Sequence, residues 1–301
     1  MVLGYHFMAF DREGIYLFPE NMRSWAAFGA QGVELFFLIS GFVMWYSMKQ
    51  AGFTFAQTGR YLKKRIIRII PAYWMTITLI LVLQLIWNGN IPYEGQTIFK
   101  NALFLIDSDG LSSWINPVFS TLRVEMIFYL VLIPMAPMLL KFRFAFFPIV
   151  LFVLGLRIVV PTLEFVHYLP YFLLGMLLLE WKQDRSMLPF LSILILWIYV
   201  YFFYALEDFV IVSLGIPALL IPYRTRSWMR ALGKASYALY LTHGLVGGTL
   251  LFVLMKWSFF VEHAWLTFAI ATFSSIVFAQ LFHRYFEKPA GSWLTQRFIK
   301  D

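Results

Sequence analysis

Residues Tyr61–Trp74 read YLKKRIIRIIPAYW, a dense positive cluster directly before an apolar run that continues to Trp87. In a helix, Lys64, Arg65 and Arg68 share one face, since residues three and four apart are neighbours on the helix surface. Basic residues that flank an apolar run mark the cytoplasmic side of a membrane helix. The same spacing also suits an anion clamp, because guanidinium groups bind phosphate through paired charge-assisted hydrogen bonds. Taken alone, the stretch favours the topological interpretation.

The composition is that of an integral membrane protein. The chain has 301 residues, of which 61% are hydrophobic, 20% aromatic and only 13% charged, and its mean hydropathy is +0.73. A soluble domain cannot bury so much apolar surface. The net charge of +8 lies in short loops, so it indicates a lipid bilayer rather than nucleic acid as the partner. Cysteine is absent and the five histidines are scattered, so we expect neither disulfides nor a metal site.

Apolar runs divide the chain into nine full spans and one incomplete span. The full runs lie near 25–48, 69–87, 124–140, 144–160, 165–181, 188–206, 208–222, 236–255 and 264–283. Met1 to Phe10 is too short to span, and we expect it to be the second half of a helix that starts upstream. The sequence therefore predicts an all-α, polytopic transmembrane helix bundle of about ten spans, the first one truncated, as a single domain over 1–301.

Lysines and arginines gather on one side of this topology. The opposite loops hold only Arg12, Arg23, Lys100, Arg123, Arg157 and Lys256. Since cytoplasmic loops carry the excess of basic residues, the basic loop predicted at 57–68 and the C-terminus are expected to face the cytoplasm. The longest outer loop, about 88–123, is expected to fold back over the spans.

Ionisable side chains inside the apolar runs are costly, so each is a functional hypothesis. His6, Glu34 and Glu125 fall in the outer part of their runs, and His243 lies near the middle of its own. A histidine can take a proton from a hydroxyl at neutral pH, and a nearby carboxylate can orient it. The alternative for each is a buried structural pair, and for His243 a hydrogen bond inside the bundle is the simpler interpretation.

Five segments, one of them part of the basic stretch above, follow one another in a recognisable order. They are GVELFFLISGF (Gly32–Phe42), KRIIRIIPAYW (Lys64–Trp74), TLRVEMIFYL (Thr121–Leu130), SYALYLTHGLV (Ser236–Val246) and FEKP (Phe286–Pro289). Together they resemble the bacterial membrane acyltransferase family 3, whose members O-acylate cell-surface glycans, lipids and small molecules from acyl-CoA. LGYHF (Leu3–Phe7) matches the histidine end of the family's first-span Arg and His pair. Either the true start lies upstream of Met1, or the chain lacks that arginine.

Two residues depart from the family's glutamate element, because Thr121 and Arg123 stand where serines are usual. Thr121 keeps a hydroxyl group. Arg123 adds a positive charge beside Glu125, which is expected to favour the carboxylate form.

The resemblance implies a membrane O-acyltransferase that moves an acyl group, expected to be acetyl, from cytoplasmic acyl-CoA to a cell-envelope glycan or lipid-linked sugar at the bacterial inner membrane. The implied ligands of the CoA phosphates are Lys64, Arg65 and Arg68. The implied catalytic residues, with His6 acting on the acceptor hydroxyl or carrying the acyl group, are His6, Glu125 and Glu34. The implied residues of the substrate path are Ser40, Tyr73 and His243.

A secondary transporter of an anionic or sugar substrate is the main alternative, with the intramembrane His and Glu as a proton relay. Such transporters often show inverted repeats and interrupted paired helices, and neither is clear in this sequence. An inactive structural subunit is a third interpretation. The sequence leaves open which acceptor and which acyl chain are used. It also leaves open whether transfer is direct or passes through an acyl-enzyme, and whether the protein forms a homo-oligomer.

Overall fold

The structure, a computed structural model, describes residues 2–106, 114–160, 162–221 and 226–299. Residues 107–113, in the middle of the predicted long outer loop, lie outside this described part. Of the described residues, 83% are helical. The helices are α1 (Val2–Met8), α2 (Glu20–Ala27), α3 (Gly32–Gln50), α4 (Thr58–Asn88), α5 (Gly95–Ala102), α6 (Phe119–Lys141), α7 (Phe146–Val159), α8 (Glu164–Asp184), α9 (Met187–Phe203), α10 (Leu206–Leu220), α11 (Ser227–Lys234), α12 (Ser236–His243), α13 (Thr249–Leu254), α14 (Ser258–Glu262), α15 (Ala264–Phe282) and α16 (Lys288–Phe298).

Shorter elements complete the described chain. A small antiparallel hairpin pairs β1 (Asp11–Arg12) with β2 (Ile15–Tyr16). Two π-helical segments, Gly244–Gly248 and His283–Glu287, continue α12 and α15 without a break. A π-helical segment adds a residue to a helical turn, and such segments are frequent at functional sites.

Five helical segments in the described residues are long and apolar enough to cross a membrane. They are Glu20–Gln50, Phe55–Asn88, Phe119–Lys141, Ser236–Leu254 and Ala264–Phe298. The other four predicted runs form α7, α8, α9 and α10, with 14, 21, 17 and 15 residues. The all-α prediction is confirmed, whereas the number of about ten spans stays a prediction.

The basic segment belongs to a helix, not to the loop predicted at 57–68. Helix α4 begins at Thr58 and runs for 31 residues, with Pro71 inside it. The turn directly before α4 is stabilised at Thr54, whose backbone N–H donates to Oε1 of Gln57 at 3.0 Å. Lys, Arg, Leu and Ile are adequate helix formers, so nothing in the segment stops the helix. At 1.5 Å per residue α4 is about 46 Å long, and its basic end can therefore extend beyond a hydrocarbon core of about 30 Å.

The chain divides into two compact units. The first comprises Met1–Ala30, Lys63–Leu122 and Arg224–Asp301, and the second comprises Gln31–Leu62 and Arg123–Tyr223. A single uninterrupted helix can contribute to both units, as α4 and α6 do.

The first unit has two apolar clusters. One surrounds Tyr73, whose ring stacks on Phe104 at 4.3 Å between centroids and meets Phe119 edge-on at 4.6 Å. The other surrounds Phe7 and includes Phe18 from the segment after the hairpin. These aromatic contacts position α1, α4, α12 and α15, the helices that carry the candidate site.

The second unit is built on a close approach of α3 and α8. A methyl group on Gly41 would overlap the backbone carbonyl of Phe172, and one on Gly175 would overlap that of Leu38. Small residues at facing positions let membrane helices pack backbone to backbone. The close contact with α8 that these two glycines allow therefore fixes the position of α3, which carries Glu34.

Candidate active site

The basic residues of α4 form one face at the start of the helix. Lys64 and Arg68 are exposed and Arg65 is partly exposed, and all three lie within a rise of about 6 Å. Pro71 lacks an N–H, so the carbonyl of Ile67 loses its helical partner there. The shared helix face predicted from the sequence is present, and its role in donor binding stays a prediction.

Helix α12 contacts α4 immediately after the basic face. The hydroxyl of Tyr237 donates to the backbone carbonyl of Ile69 at 2.9 Å, and Ile69 follows Arg68 directly. His243 ends the same helix six residues later, a rise of about 9 Å. Within the first unit, α12 therefore runs from the basic face to a buried histidine.

His243 meets His6 at the far end of α12. The two ring centroids are 5.1 Å apart with the planes tilted by 43°. His243 is 1% exposed, whereas His6 is only partly buried. The sequence singled out both histidines from opposite ends of the chain, but it placed them in different roles. Their direct contact is what the structure adds.

His6 is held in place through its neighbour Phe7. The Phe7 ring enters the π-helical segment at Gly247, where an added methyl group would overlap both this ring and the Ser275 hydroxyl. Phe7 is 1% exposed, and its ring lies 6.2 Å from that of His243. The glycine thus leaves a notch in the wall of the helix, and α1 is fixed with His6 beside His243.

The hydrogen bonds of His243 define its tautomer. Its Nδ1 lies 2.8 Å from the carbonyl oxygen of Tyr240 and 3.2 Å from that of Leu239. A carbonyl oxygen only accepts, so Nδ1 carries the proton and donates to these two oxygens. In the neutral ring Nε2 is therefore unprotonated and acts as an acceptor.

Asn116, just before α6, and Thr121, in the first turn of α6, hold α12 in place near this histidine. The side-chain amide of Asn116 donates to the carbonyl of Leu241 at 3.3 Å. The Thr121 hydroxyl donates to the Val118 carbonyl at 2.9 Å and also contacts the hydroxyl of Tyr240. The hydroxyl that Thr121 retains from the sequence motif therefore supports the end of α12 that carries His243.

Tyr73, predicted to line the substrate path, is fully buried in the first unit. Its hydroxyl donates to the carbonyl of Asn101 at 2.6 Å, so this group already has a structural partner. Ser40, another predicted path residue, is partly exposed on α3 of the second unit. Neither position tests the predicted path.

Glu125 belongs to the second unit and is 7% exposed. Its carboxylate accepts a hydrogen bond from the hydroxyl of Tyr129, one turn further along α6. Arg123 makes a salt bridge with Glu164 at 2.7 Å. The positive charge of Arg123 is therefore paired with the carboxylate at the start of α8.

Glu34 also belongs to the second unit, where it is 7% exposed. Its Oε2 atom has no hydrogen-bond partner in the described residues, and the same is true of the hydroxyl of Tyr171. Asp208 lies within electrostatic range of both side chains. Unpaired buried polar groups are rare, and each one requires a reason such as function or bound water.

Sequence reasoning missed Glu180, which is 1% exposed near the end of α8. It accepts hydrogen bonds from Nε1 of Trp45 at 2.5 Å, from Nζ of Lys49 at 2.8 Å and from Arg143, which also pairs with Asp184. Burial lowers the pKa of the Arg143 guanidinium, but Glu180 and Asp184 offset this, and the net pKa is raised. The sequence signal was a glutamate near the end of the apolar run at 165–181.

Comparison with known protein families gives a match over most of the chain. A family model described as an acyltransferase domain matches residues 1–284, a range that includes His6, the basic face of α4 and His243. The FEKP segment lies beyond the matched range. No curated protein and no solved structure matches the chain.

Proposed function

The chain belongs to acyltransferase family 3, and on that premise we propose that it is an O-acyltransferase of the bacterial inner membrane. It takes an acyl group, acetyl in the simplest case, from cytoplasmic acyl-CoA and places it on a hydroxyl of a cell-envelope glycan or lipid-linked sugar. The proposal includes about ten spans and a cytoplasmic C-terminus. The observation that carries it is α12, which reaches from the basic face of α4 to the His6 and His243 pair.

The donor is bound through its phosphates. CoA carries three phosphates, and Lys64, Arg65 and Arg68 offer three cationic heads on one helix face. The pantetheine arm then follows α12 from Tyr237 toward His243. The rise of about 9 Å between these two residues is shorter than the extended arm, so the arm can cover this part of the path from the basic face to His6.

His6 acts as the general base. As the acceptor oxygen attacks the thioester carbonyl carbon, the imidazole of His6 takes the hydroxyl proton. The new C–O bond forms, the C–S bond breaks, and the thiolate of CoA leaves and receives the same proton. The products are the ester and free CoA, so no water, metal or redox partner is required for the balance.

Two carboxylates of the second unit, those of Glu34 and Glu125, are also proposed as catalytic residues. Glu34 is the stronger candidate for contact with the acceptor, because its Oε2 is buried without a partner in the described residues and a hydroxyl donor would satisfy it. Glu125 is retained as a catalytic residue, with Tyr129 orienting its carboxylate. Ser40 and Tyr73 remain proposed residues of the substrate path.

Membranes containing the protein, incubated with acetyl-CoA labelled on the acetyl group, test the proposal. We expect label in a lipid-linked or glycan fraction, together with an equal release of free CoA. Label that enters vesicles without becoming covalently attached would instead support a transporter. Label that stays on the protein would indicate a covalent acyl-enzyme and replace the direct transfer described above.

A further inference from the structure

We propose that His243 is a positioning residue for His6. Its Nε2 accepts the ring N–H of His6 and so determines which His6 nitrogen faces the acceptor hydroxyl. The role within catalysis rests on the proposed function, whereas the contact between the two histidines does not.

The hydrogen bonds on His243 have a fixed direction. Its Nδ1–H is committed to the carbonyls of Tyr240 and Leu239, so the ring cannot turn to offer that proton elsewhere without losing both bonds. Nε2 keeps its lone pair and points away from the carbonyls across the ring. A buried acceptor gains from a donor, and the neighbouring ring is that of His6.

The rings of His6 and His243 lie close enough together for a hydrogen bond between them. Imidazole rings whose centroids are 5.1 Å apart bring one nitrogen of each to about 3 Å when these nitrogens face one another, which is the length of a hydrogen bond. The 43° tilt between the rings is compatible with such a bond after a small rotation of His6. His6 is the more exposed partner, so it is the ring that can turn.

The two histidines differ in burial. At 1% exposure, His243 is shielded from an acceptor molecule, whereas the partly buried His6 can still be reached. His243 therefore acts through His6. When neutral His6 donates its one N–H to Nε2 of His243, the unprotonated nitrogen is the one that faces away from His243, which is where a general base requires it. This arrangement is the role that an orienting group plays beside a catalytic histidine.

Two substitutions of similar size separate this role from simple packing. His243→Gln retains an amide group near the position of Nε2, where its oxygen can accept from His6. His243→Asn retains a donor toward the helix carbonyls but has no group near Nε2. Both variants replace the imidazole ring with an amide side chain, so they differ mainly in whether a group is left to contact His6.

The measurement is the rate at which diethyl pyrocarbonate modifies His6, followed by mass spectrometry of its peptide, because this reagent reacts with the unprotonated imidazole nitrogen. It requires no acyltransferase activity. We expect His243→Asn to slow the modification of His6 by roughly tenfold and His243→Gln to restore most of the rate, with kcat for acyl transfer following the same order and KM for acyl-CoA unchanged. The exposed His263 is the internal control for reagent and folding.

Equal His6 modification rates in the two variants and in the unchanged protein, with His263 labelled normally, would overturn the proposal. If His243→Asn fails to fold, His243→Phe, which retains a ring without any nitrogen, takes its place and is expected to slow the modification of His6 in the same way. If His243→Gln fails to fold, His243→Asn is compared with the unchanged protein, and equal His6 modification rates would again overturn the proposal. Absence of acyl transfer in every variant, with the predicted order of His6 labelling preserved, would reject the proposed function and leave the histidine contact standing.

Discussion

Phe7 fills a notch that Gly247 leaves in the π-helical segment after His243, and this contact fixes the helix that carries His6. The notch has no room for a side chain at residue 247, since the Phe7 ring and the Ser275 hydroxyl already occupy it. The position of the candidate base is therefore controlled by a glycine that takes no part in the chemistry.

Gly247→Ala is expected to displace Phe7 and to lower acyl transfer by at least about tenfold, because small misplacements of a catalytic group are costly. The neighbouring Gly248→Ala is the matched control. Its added methyl group would lie 3.9 Å from Phe10, an ordinary contact. Transfer rates that fall equally in both variants would show that the π-helical segment, and not the Phe7 notch, governs the site.

Arg65→Ala or Arg68→Ala is expected to weaken acyl-CoA binding by roughly 1.5–3 kcal/mol, the loss of one charge-assisted contact. Equilibrium binding of labelled acyl-CoA to the purified protein measures this effect. Lys63→Ala removes the same charge from the same turn but lies off the shared face, so its effect should be much smaller. Equal affinities for acyl-CoA in all three variants and in the unchanged protein would show that these basic residues only set the membrane topology and do not bind the donor.

Glu180→Ala is expected to destabilise the protein by about 3–5 kcal/mol, because it leaves the charges of Lys49 and Arg143 without their buried partner. Thermal unfolding in detergent measures the change. Asp184→Asn is the control, since Asp184 is 39% exposed and an exposed pair contributes at most about 1 kcal/mol. Similar losses in both variants would contradict a central role of Glu180 in joining α3, α8 and the segment before α7.

Tyr171→Phe is expected to leave the stability unchanged or to raise it by up to about 1–3 kcal/mol, because the deleted hydroxyl is buried without a partner in the described residues. Tyr73→Phe deletes an equally buried hydroxyl that donates to Asn101, and it should destabilise the protein by about 1 kcal/mol. Thermal unfolding of the two variants gives the comparison. A clear loss of stability in Tyr171→Phe would indicate that its hydroxyl binds water or a ligand.

The sequence predicted the features that depend on local pattern. Helical periodicity was enough to place Lys64, Arg65 and Arg68 on one face, and the apolar runs gave the all-α class. The 57–68 segment was wrongly assigned to a loop, because a high density of charge suggested solvent although its residues are compatible with a helix. The motifs were enough to identify His6 and His243 as residues of interest.

The remaining features depend on contacts between distant parts of the chain. No periodicity links His6 to His243, because one lies near the start of the chain and the other follows an unrelated apolar run. The π-helical segment after His243 reads as an ordinary helix, so the Gly247 notch could not be foreseen. Glu180 has partners on other segments, Trp45, Lys49 and Arg143, which only tertiary structure brings together.

The rate of label transfer from acyl-CoA by the His6→Ala variant measures whether His6 carries the reaction. His263→Ala, which removes an exposed histidine, is the matched control, and acyl-CoA binding is measured in parallel. We expect His6→Ala to lower the transfer rate by at least about 10²-fold, the usual contribution of a general base, while donor affinity and thermal stability stay unchanged and His263→Ala remains fully active. A His6→Ala variant that transfers the acyl group at the rate of the unchanged protein would contradict the assignment of His6 as the base.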